Sequence, residues 1–396
     1  MVALHGATMT EAPRWCTTAL GRRAWEVGET AAGPHAGDVD HQGRFPAEAT
    51  EAMRRSGLLG AMVPVDLGGE GASLAEVSES IRAIAAHCAS SALVLAMHQI
   101  EVAYLIHHGA TEPLKELLRQ VAAGSVLMAN ANSEVGLGGD VSRSFCALEH
   151  RDGRVHLEKD VLALSYAEYA DAITVNARRD PEAAENDQVM LICGPGSFTV
   201  EATGEWDTLG LRGTCSSGYR LVADEDEDMV LTDRWSTVVN QTGLAATTVF
   251  LNSVWLGIAE EAAATAHASV RAEARRAIGS TPPSALRLAE LVVILGQARA
   301  VLATTTARVM AVGGGTDMED DLPLVLEMRD LKLSMTTLCA DVVLRALGVC
   351  GLSGYKRGST FSVERNVRDV LGGQLMANNN RFYVDNAQLL LMVKKV

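Results

Sequence analysis

The chain has 396 residues, 48% hydrophobic and 4% aromatic, enough apolar material for a large core divided over two or three subdomains. Its formal charge of −15 is spread along the chain and disfavours nucleic acid and membrane surfaces as partners through repulsion from phosphate, so a soluble cytoplasmic protein is the expectation. Seven cysteines (Cys16, Cys88, Cys146, Cys193, Cys215, Cys339 and Cys350) form no CxxC pair and are odd in number, so neither a zinc site nor a disulfide framework is indicated.

The first segments carry GRRAWEVGE (21–29) where a secretory signal would need an apolar core. From about 44 to 123 apolar residues recur at three- and four-residue spacing through FPAEATEAMRRSGLLGAM, SLAEVSESIRAIAAHC, ALVLAMHQIEVAYLIHHG and EPLKELLRQVAA, which predicts an all-helical N-terminal domain over 1–124. Ser73 followed by Glu76 is a capping box opening the second of these helices. Between 125 and 233 the pattern turns to short β runs (VLMANAN, SFCALEHRDGRVHLEK, DAITVNAR, QVMLICG, FTVEA, YRLVAD), which predicts a β-barrel-like middle domain with a hairpin at Asp152-Gly153. The acidic run DEDED (224–228) reads as a solvated loop. From 234 to 396 long apolar segments near 239–276, 284–311 and 322–347, with a shorter one ending near 393, predict a helical bundle. The most apolar stretch, 243–259, contains Asn252 and Ser253 and fits a buried protein helix better than a membrane span.

Five motifs in this order resemble the acyl-CoA dehydrogenase family from roughly Phe45 to Arg381. They are VPVDLGGEGAS (63–73), ANSEVGLGGD (131–140), WDTLGLRGTCSSGYRL (206–221), EARRAIG (273–279) and SGYKRGSTFSVERNVRD (353–369). The resemblance implies an α+β, mainly α fold: N-terminal helices, a middle β-domain and a C-terminal bundle that serves flavin binding and oligomerisation. It implies FAD, or alternatively reduced flavin supplied by a reductase. On the matched positions the flavin contacts are Asn132, Ser133, Gly138, Ser165, Arg275, Gly351 and Asn379. Close backbone approach at Gly136, Gly138 and Gly139, hydroxyls at Ser133 and Ser165 and a cation at Arg275 are what a pyrophosphate and an electron-accepting ring require. Three positions depart from the family: Ala163 stands for an aromatic residue, Ile278 for a phenylalanine, and LGVCG (347–351) for Q-x-x-G-G.

The family's dehydrogenases remove an α-proton with a glutamate. Counted from Arg368-Asp369, that position is Ala377, and the alternative position on the first bundle helix is Thr247. No Asp or Glu occurs within 370–384 or 235–259. Three readings follow. The first is a thioester dehydrogenase acting on acyl-CoA or an acyl carrier protein, with a relocated base from His98, Tyr166, Glu168 or Asp385. The second is a monooxygenase of the same fold that uses reduced flavin and O2, with His98 and Ser165 placed as donors. The third is a non-redox acyl-binding member. A homo-oligomer, dimer or tetramer, with an electron-transfer partner or flavin reductase in a biosynthetic setting is the expectation. The pair His107-His108 reads as a helix C-terminal cap.

Overall fold

The computed structural model describes residues 11–276, 279–313 and 321–392. Among the described residues six helices precede the sheets: α1 (Ala19–Val27), α2 (Gly33–Gln42), α3 (Ala47–Arg55), α4 (Leu74–Ala85), α5 (Ala89–His108) and α6 (Glu112–Ala122). The capping box at Ser73 and Glu76 is formed as expected. Periodicity did not anticipate α1 and α2, which are interrupted by Gly21, Gly28, Gly33 and Pro34 and joined by a π-helical turn at Gly28–Ala32. Packing overrides the weak propensity: Leu20, Ala24 and Val27 are buried in α1, and Glu79 of α4 receives the main-chain N–H groups of Thr17 and Thr18, each at 2.7 Å. Helix α5 is the axis of the molecule, buried at every residue but Met97, Ile106 and His107.

The strands among the described residues follow: β1 (Met128–Asn130), β2 (Glu149–Arg151), β3 (Arg154–Val161), β4 (Ala172–Arg178), β5 (Gln188–Cys193), β6 (Phe198–Ala202) and β7 (Tyr219–Asp226). They form two sheets. One is the mixed sheet β1-β4-β5, with β1 and β4 parallel, and the other is the antiparallel sheet β2-β3-β7-β6. In the first sheet β4 and β5 are buried almost throughout. In the second, β3 and β7 alternate between buried and exposed residues, as expected of a sheet with one face in water. The hairpin turns at Asp152 and Gly153, both at positive φ (51° and 78°). The acidic run is not a loop: β7 carries it to Asp226, Arg154 pairs with Asp224 and Asp226, and the nearly buried Glu225 accepts the Gly194 N–H at 2.9 Å.

The second helical part contains α7 (Trp235–Val238), a π turn at Val239–Gly243, α8 (Leu244–Arg276), α9 (Pro283–Val312), α10 (Leu322–Tyr355), α11 (Glu364–Leu375) and α12 (Asn379–Leu390). Helix α8 packs on α4 and α5 on one side and on α9, α10 and α11 on the other, so the two helical parts share one core. Helix α10 runs past the expected end near 347 and breaks its helical geometry at Gly351 (φ 57°, ψ −138°). The three parts of the chain are tied at one point. Arg368 of α11 pairs with Asp40 of α2 at 2.6 Å, and buried Asp369 accepts the Leu211 N–H at 2.7 Å. Gly210 lies so close to the main chain of Arg368 that a Cβ would meet its carbonyl oxygen at 2.3 Å.

Among the described residues three helical stretches, Ala89–His108, Trp235–Arg276 and Leu322–Tyr355, are long and apolar enough to cross a membrane. The apolar windows of the first two are 89% and 83% buried inside the protein, and that of the third only 44%.

Candidate functional site

The sequence motifs converge where the loop after β1 meets the loop after β3. Ser133 Oγ donates to the Ala163 carbonyl at 2.9 Å and accepts the Ala163 N–H at 3.1 Å, a reciprocal clasp between the loops. Buried Glu134 fixes the next stretch by accepting from Ser144 Oγ and from the N–H groups of Phe145 and Cys146 at 2.7 to 3.1 Å. Trp235 Nε1 donates to the Val141 carbonyl at 2.8 Å, and Arg381 of α12 reaches the Gly139 carbonyl at 2.9 Å and Asp140 at 2.5 Å. Between these ties Gly138 and Gly139 adopt positive φ with no atom within 4 Å of where a Cβ would stand, an open main-chain cradle. Asn132 carries a buried side-chain oxygen with no hydrogen-bond partner. Ser165 Oγ is 2.8 Å from Ser216 Oγ, which is 2.8 Å from Thr214 Oγ1.

The helical wall is made by α5 and the start of α8. The Tyr104 hydroxyl shares a hydrogen bond with Thr247 and crowds Gly243 of the π turn, and burial, reinforced by Glu101, holds its pKa well above the usual phenol range. Tyr104 also meets Trp235 edge-on at 6.0 Å. His108 does not cap α5. Its Nδ1 faces Asp233 Oδ2 at 2.7 Å and its Nε2 faces Thr242 Oγ1 at 2.9 Å, so it pins the π turn to the end of the β-domain. Glu101, one turn before Tyr104, escaped the sequence reading. It is fully buried, accepts from Asn130 Nδ2 at 2.8 Å and Thr174 Oγ1 at 2.6 Å, and burial pushes its pKa up to about 8. The only sequence signal for it was a carboxyl residue on an otherwise apolar helical face.

The α11–α12 turn is held from below. Ala377 has φ 49°, its carbonyl accepts from Lys332 Nζ of α10 at 2.7 Å, and Asn379 is bonded to Lys332 and, at 3.1 Å, to Thr336 Oγ1. Asn379 is therefore a strut of this turn. Desolvation lowers the Lys332 pKa to about 8.

The expected acid–base candidates are committed elsewhere. His98 is corrected from a donor in the cleft to a core residue: its Nε2 is 3.0 Å from the Leu59 carbonyl, its Nδ1 accepts the Met128 N–H at 3.0 Å, and burial lowers its pKa to about 4. With Nδ1 accepting, Nε2 carries the hydrogen, and neither nitrogen is free for a reacting molecule. Tyr166 donates to the Met128 carbonyl at 2.8 Å, exposed Glu168 receives Tyr219, and Asp385 faces Arg329 at 3.5 Å. Arg275 is exposed in the last turn of α8, and Gly351 sits at the break in α10. Ile278 lies outside the described residues. Among the described residues no three His, Cys, Asp or Glu side chains are grouped to hold a metal, and all seven thiols are free. A groove of about 590 Å³ lined by Trp15, Trp25, Glu261 and Arg299 contains none of the candidate residues.

A β-domain inserted between helical layers, with a glycine cradle facing the second bundle, is the architecture of a three-part acyl-CoA dehydrogenase fold. The chain belongs to the acyl-CoA dehydrogenase family: the model of its N-terminal domain matches residues 18–125 and that of its C-terminal domain residues 249–380. It is 29% identical over 361 residues to the amino sugar nitrososynthase DnmZ of Streptomyces peucetius, covering 86% of this chain and 84% of that protein. Its fold matches that of FMN-bound TdsC, a dibenzothiophene monooxygenase of Paenibacillus sp. A11-2, with a TM-score of 0.83 at 22% identity over 94% of this chain and 97% of the other. It matches butyryl-CoA dehydrogenase of Megasphaera elsdenii with a TM-score of 0.81 at 20% identity over 97% and 100%. The site residues fit a flavin: the unpartnered Asn132 oxygen suits a ring N–H, and the open turn at Gly138 and Gly139 suits a phosphate-bearing chain.

Proposed function

We propose that the chain is a flavin-dependent monooxygenase on the acyl-CoA dehydrogenase fold, oxidising the nitrogen of an amine-bearing substrate of the amino-sugar class with O2. The observation that supports this reading is the absence of any carboxyl residue within 370–384, the stretch that holds Ala377 and the α11–α12 turn. Removal of a thioester α-proton without a base costs about 10² to 10⁴ in rate. An amine nitrogen attacks through its own lone pair and needs no such base. A relative that covers 86% of this chain is named for nitroso synthesis on amino sugars, which supports the substrate class.

In this reading Asn132, Ser133, Gly138, Gly139 and Ser165 hold the flavin, FAD or FMN, which supplies the electrons that reduce O2. Ser133 and Ala163 keep the two loops together, Trp235 and Tyr104 exclude water, and the Lys332 clamp keeps the α11–α12 turn in place as a wall. A separate reductase delivers reduced flavin. A second copy of the chain covers the exposed apolar residues Leu286, Val293, Leu344 and Tyr355 of α9 and α10, and the exposed Arg275 in the last turn of α8 reaches the neighbour's cofactor.

An acyl-thioester dehydrogenase is the second reading, favoured by the fold match to butyryl-CoA dehydrogenase. Two measurements separate them. With reduced flavin and a reductase, a nucleotide-linked amino sugar should stimulate O2 consumption and gain oxygen, while an acyl-CoA panel should not bleach the oxidised flavin anaerobically. Bleaching by any acyl-CoA would reverse the order. Ala377→Glu should create acyl-CoA bleaching if position 377 is the lost base.

A further inference from the structure

Ser165 belongs to a hydroxyl chain whose direction is set at its far end. Thr214 Oγ1 lies 2.9 Å from the Leu211 carbonyl oxygen, which can only accept, so the Thr214 hydrogen is committed there. The same carbonyl takes Thr214 N at 3.1 Å and Trp206 Nε1 at 3.2 Å, and the hydroxyl is the closest of the three donors. The 2.8 Å link between Thr214 and Ser216 then requires Ser216 to donate, and the 2.8 Å link between Ser216 and Ser165 requires Ser165 to donate. Each hydroxyl has one hydrogen, so the chain runs from Ser165 through Ser216 and Thr214 to Leu211. Ser165 keeps lone pairs and no hydrogen for a bound molecule. The three residues are 9%, 8% and 1% exposed, which keeps water from competing for these hydrogens.

The backbone around the chain is held in an unusual form. Tyr166, Leu211 and Cys215 all have positive φ, at 44°, 55° and 47°. They are secured by Tyr166 N donating to the Thr214 carbonyl at 2.8 Å and Leu211 N donating to Asp369 at 2.7 Å. Three left-handed non-glycine residues at one spot persist only where the surroundings over-determine them.

We propose that this chain makes Ser165 a hydrogen-bond acceptor toward the cleft and so biases the site toward the reduced form of the flavin. The inference rests on the flavin reading above and deepens it. Two-electron reduction converts a bare ring nitrogen of the flavin into an N–H donor. A lone pair at Ser165 gains a partner in that form and opposes another lone pair in the oxidised form. A ligand state is favoured only by its differential contacts, and here the contact is set by residues that never touch the ligand. A protein that receives reduced flavin from a reductase needs this bias; a dehydrogenase that starts its cycle with oxidised flavin needs the reverse. Ser216 and Thr214 are therefore positioning residues.

The test is an anaerobic titration of flavin-free protein with oxidised and with dithionite-reduced FMN and FAD, in wild type, Ser216→Ala, Thr214→Val and Ser216→Thr. Wild type should hold the reduced form more tightly. Ser216→Ala and Thr214→Val each return the Ser165 hydrogen to the cleft and should lower the ratio of oxidised to reduced dissociation constants about fivefold, the worth of one hydrogen bond. Ser216→Thr keeps the relay and should keep the ratio, a rescue that a purely structural role would not produce. An unchanged or raised ratio in both relay-breaking variants, with flavin still bound, overturns the inference alone. Failure of wild type to bind either flavin in either state overturns the flavin reading and this inference with it.

Discussion

Helix α5 and the α11–α12 turn both border the candidate cleft, and they treat polar groups in opposite ways. Along α5, His98, Gln99 and Glu101 are entirely buried and every bond they make goes to a strand or a loop of the same core. At the turn, Ala377 occupies a strained backbone position, Lys332 supports it with no carboxylate partner among the described residues, and α12 beyond it buries only Asn386. The first region uses polar side chains to fix architecture, and the second uses architecture to fix a backbone. A histidine in the first is therefore a poor candidate for chemistry, whereas the proposed function turns on which side chain stands in the second.

The largest expected effect that would test this contrast is at Glu101. Its folded pKa of about 8 exceeds the ordinary 4.5, so the native state binds its proton more tightly than the unfolded chain does. Its contribution is complete below pH 4.5, declines as pH rises to 8 and is flat above, a loss of roughly 5 kcal/mol across that window. Glu101→Gln should remove this slope. Urea midpoints of variant and wild type should diverge steadily from pH 5 to pH 8, and parallel curves would show that Glu101 is not a buried neutral acid.

His98→Ala comes next. Two main-chain groups lose their partner and a cavity opens, which should cost about 3 kcal/mol at pH 7. With the folded pKa at about 4, against 6.5 ordinarily, the wild-type residue supports stability fully above pH 6.5 and loses that support as pH falls toward 4. The discriminating measurement is turnover per folded molecule, which should hold in His98→Ala; a hundredfold drop in kcat with the fold intact would restore His98 as a catalyst.

These two residues also show what the sequence could disclose. Helices α3 to α6 were legible because their apolar residues repeat with the period of a helix, the strands because short β-favouring runs are set off by turn residues, and the hairpin because Asp-Gly suits its turn. Helices α1 and α2 were hidden by glycines that tertiary packing tolerates. The family motifs placed the loops, but the roles of His98 and His108 depend on partners 30 and 134 residues away, and no spacing along α5 distinguishes a strut from a catalyst. The hydroxyl chain was equally opaque: Ser165 and Ser216 are 51 residues apart, and small polar residues leave no periodic trace. Legible most plainly was an absence, the stretch from 370 to 384 without a carboxylate.

Lys332→Met tests the second region. The ammonium holds the Ala377 carbonyl and Asn379, yet burying a cation without a counter-ion is itself unfavourable, so the change in global stability should stay within about 1 kcal/mol. The effect should be local. Hydrogen exchange of amides in 376–390 should quicken by tenfold or more while α5 stays protected, and uniform quickening of both would show that the turn is part of the global core.

The smallest effect is the most specific, because one substitution should change sign between the two regions. Ala377 at φ 49° bears the left-handed penalty of about 1 kcal/mol that glycine escapes. Glycine also widens the unfolded ensemble, an opposing cost of up to about 1 kcal/mol. Relief of strain should therefore leave Ala377→Gly between neutral and about 0.5 kcal/mol more stable. At Ala96, inside α5 and fully buried, the same exchange relieves nothing, loses a packed methyl and should cost about 1–2 kcal/mol. The two urea midpoints, read side by side, decide the matter. If both variants fall by the same amount, Ala377 is not strained, the Lys332 clamp has no conformation to hold, and the contrast between the two walls of the cleft disappears.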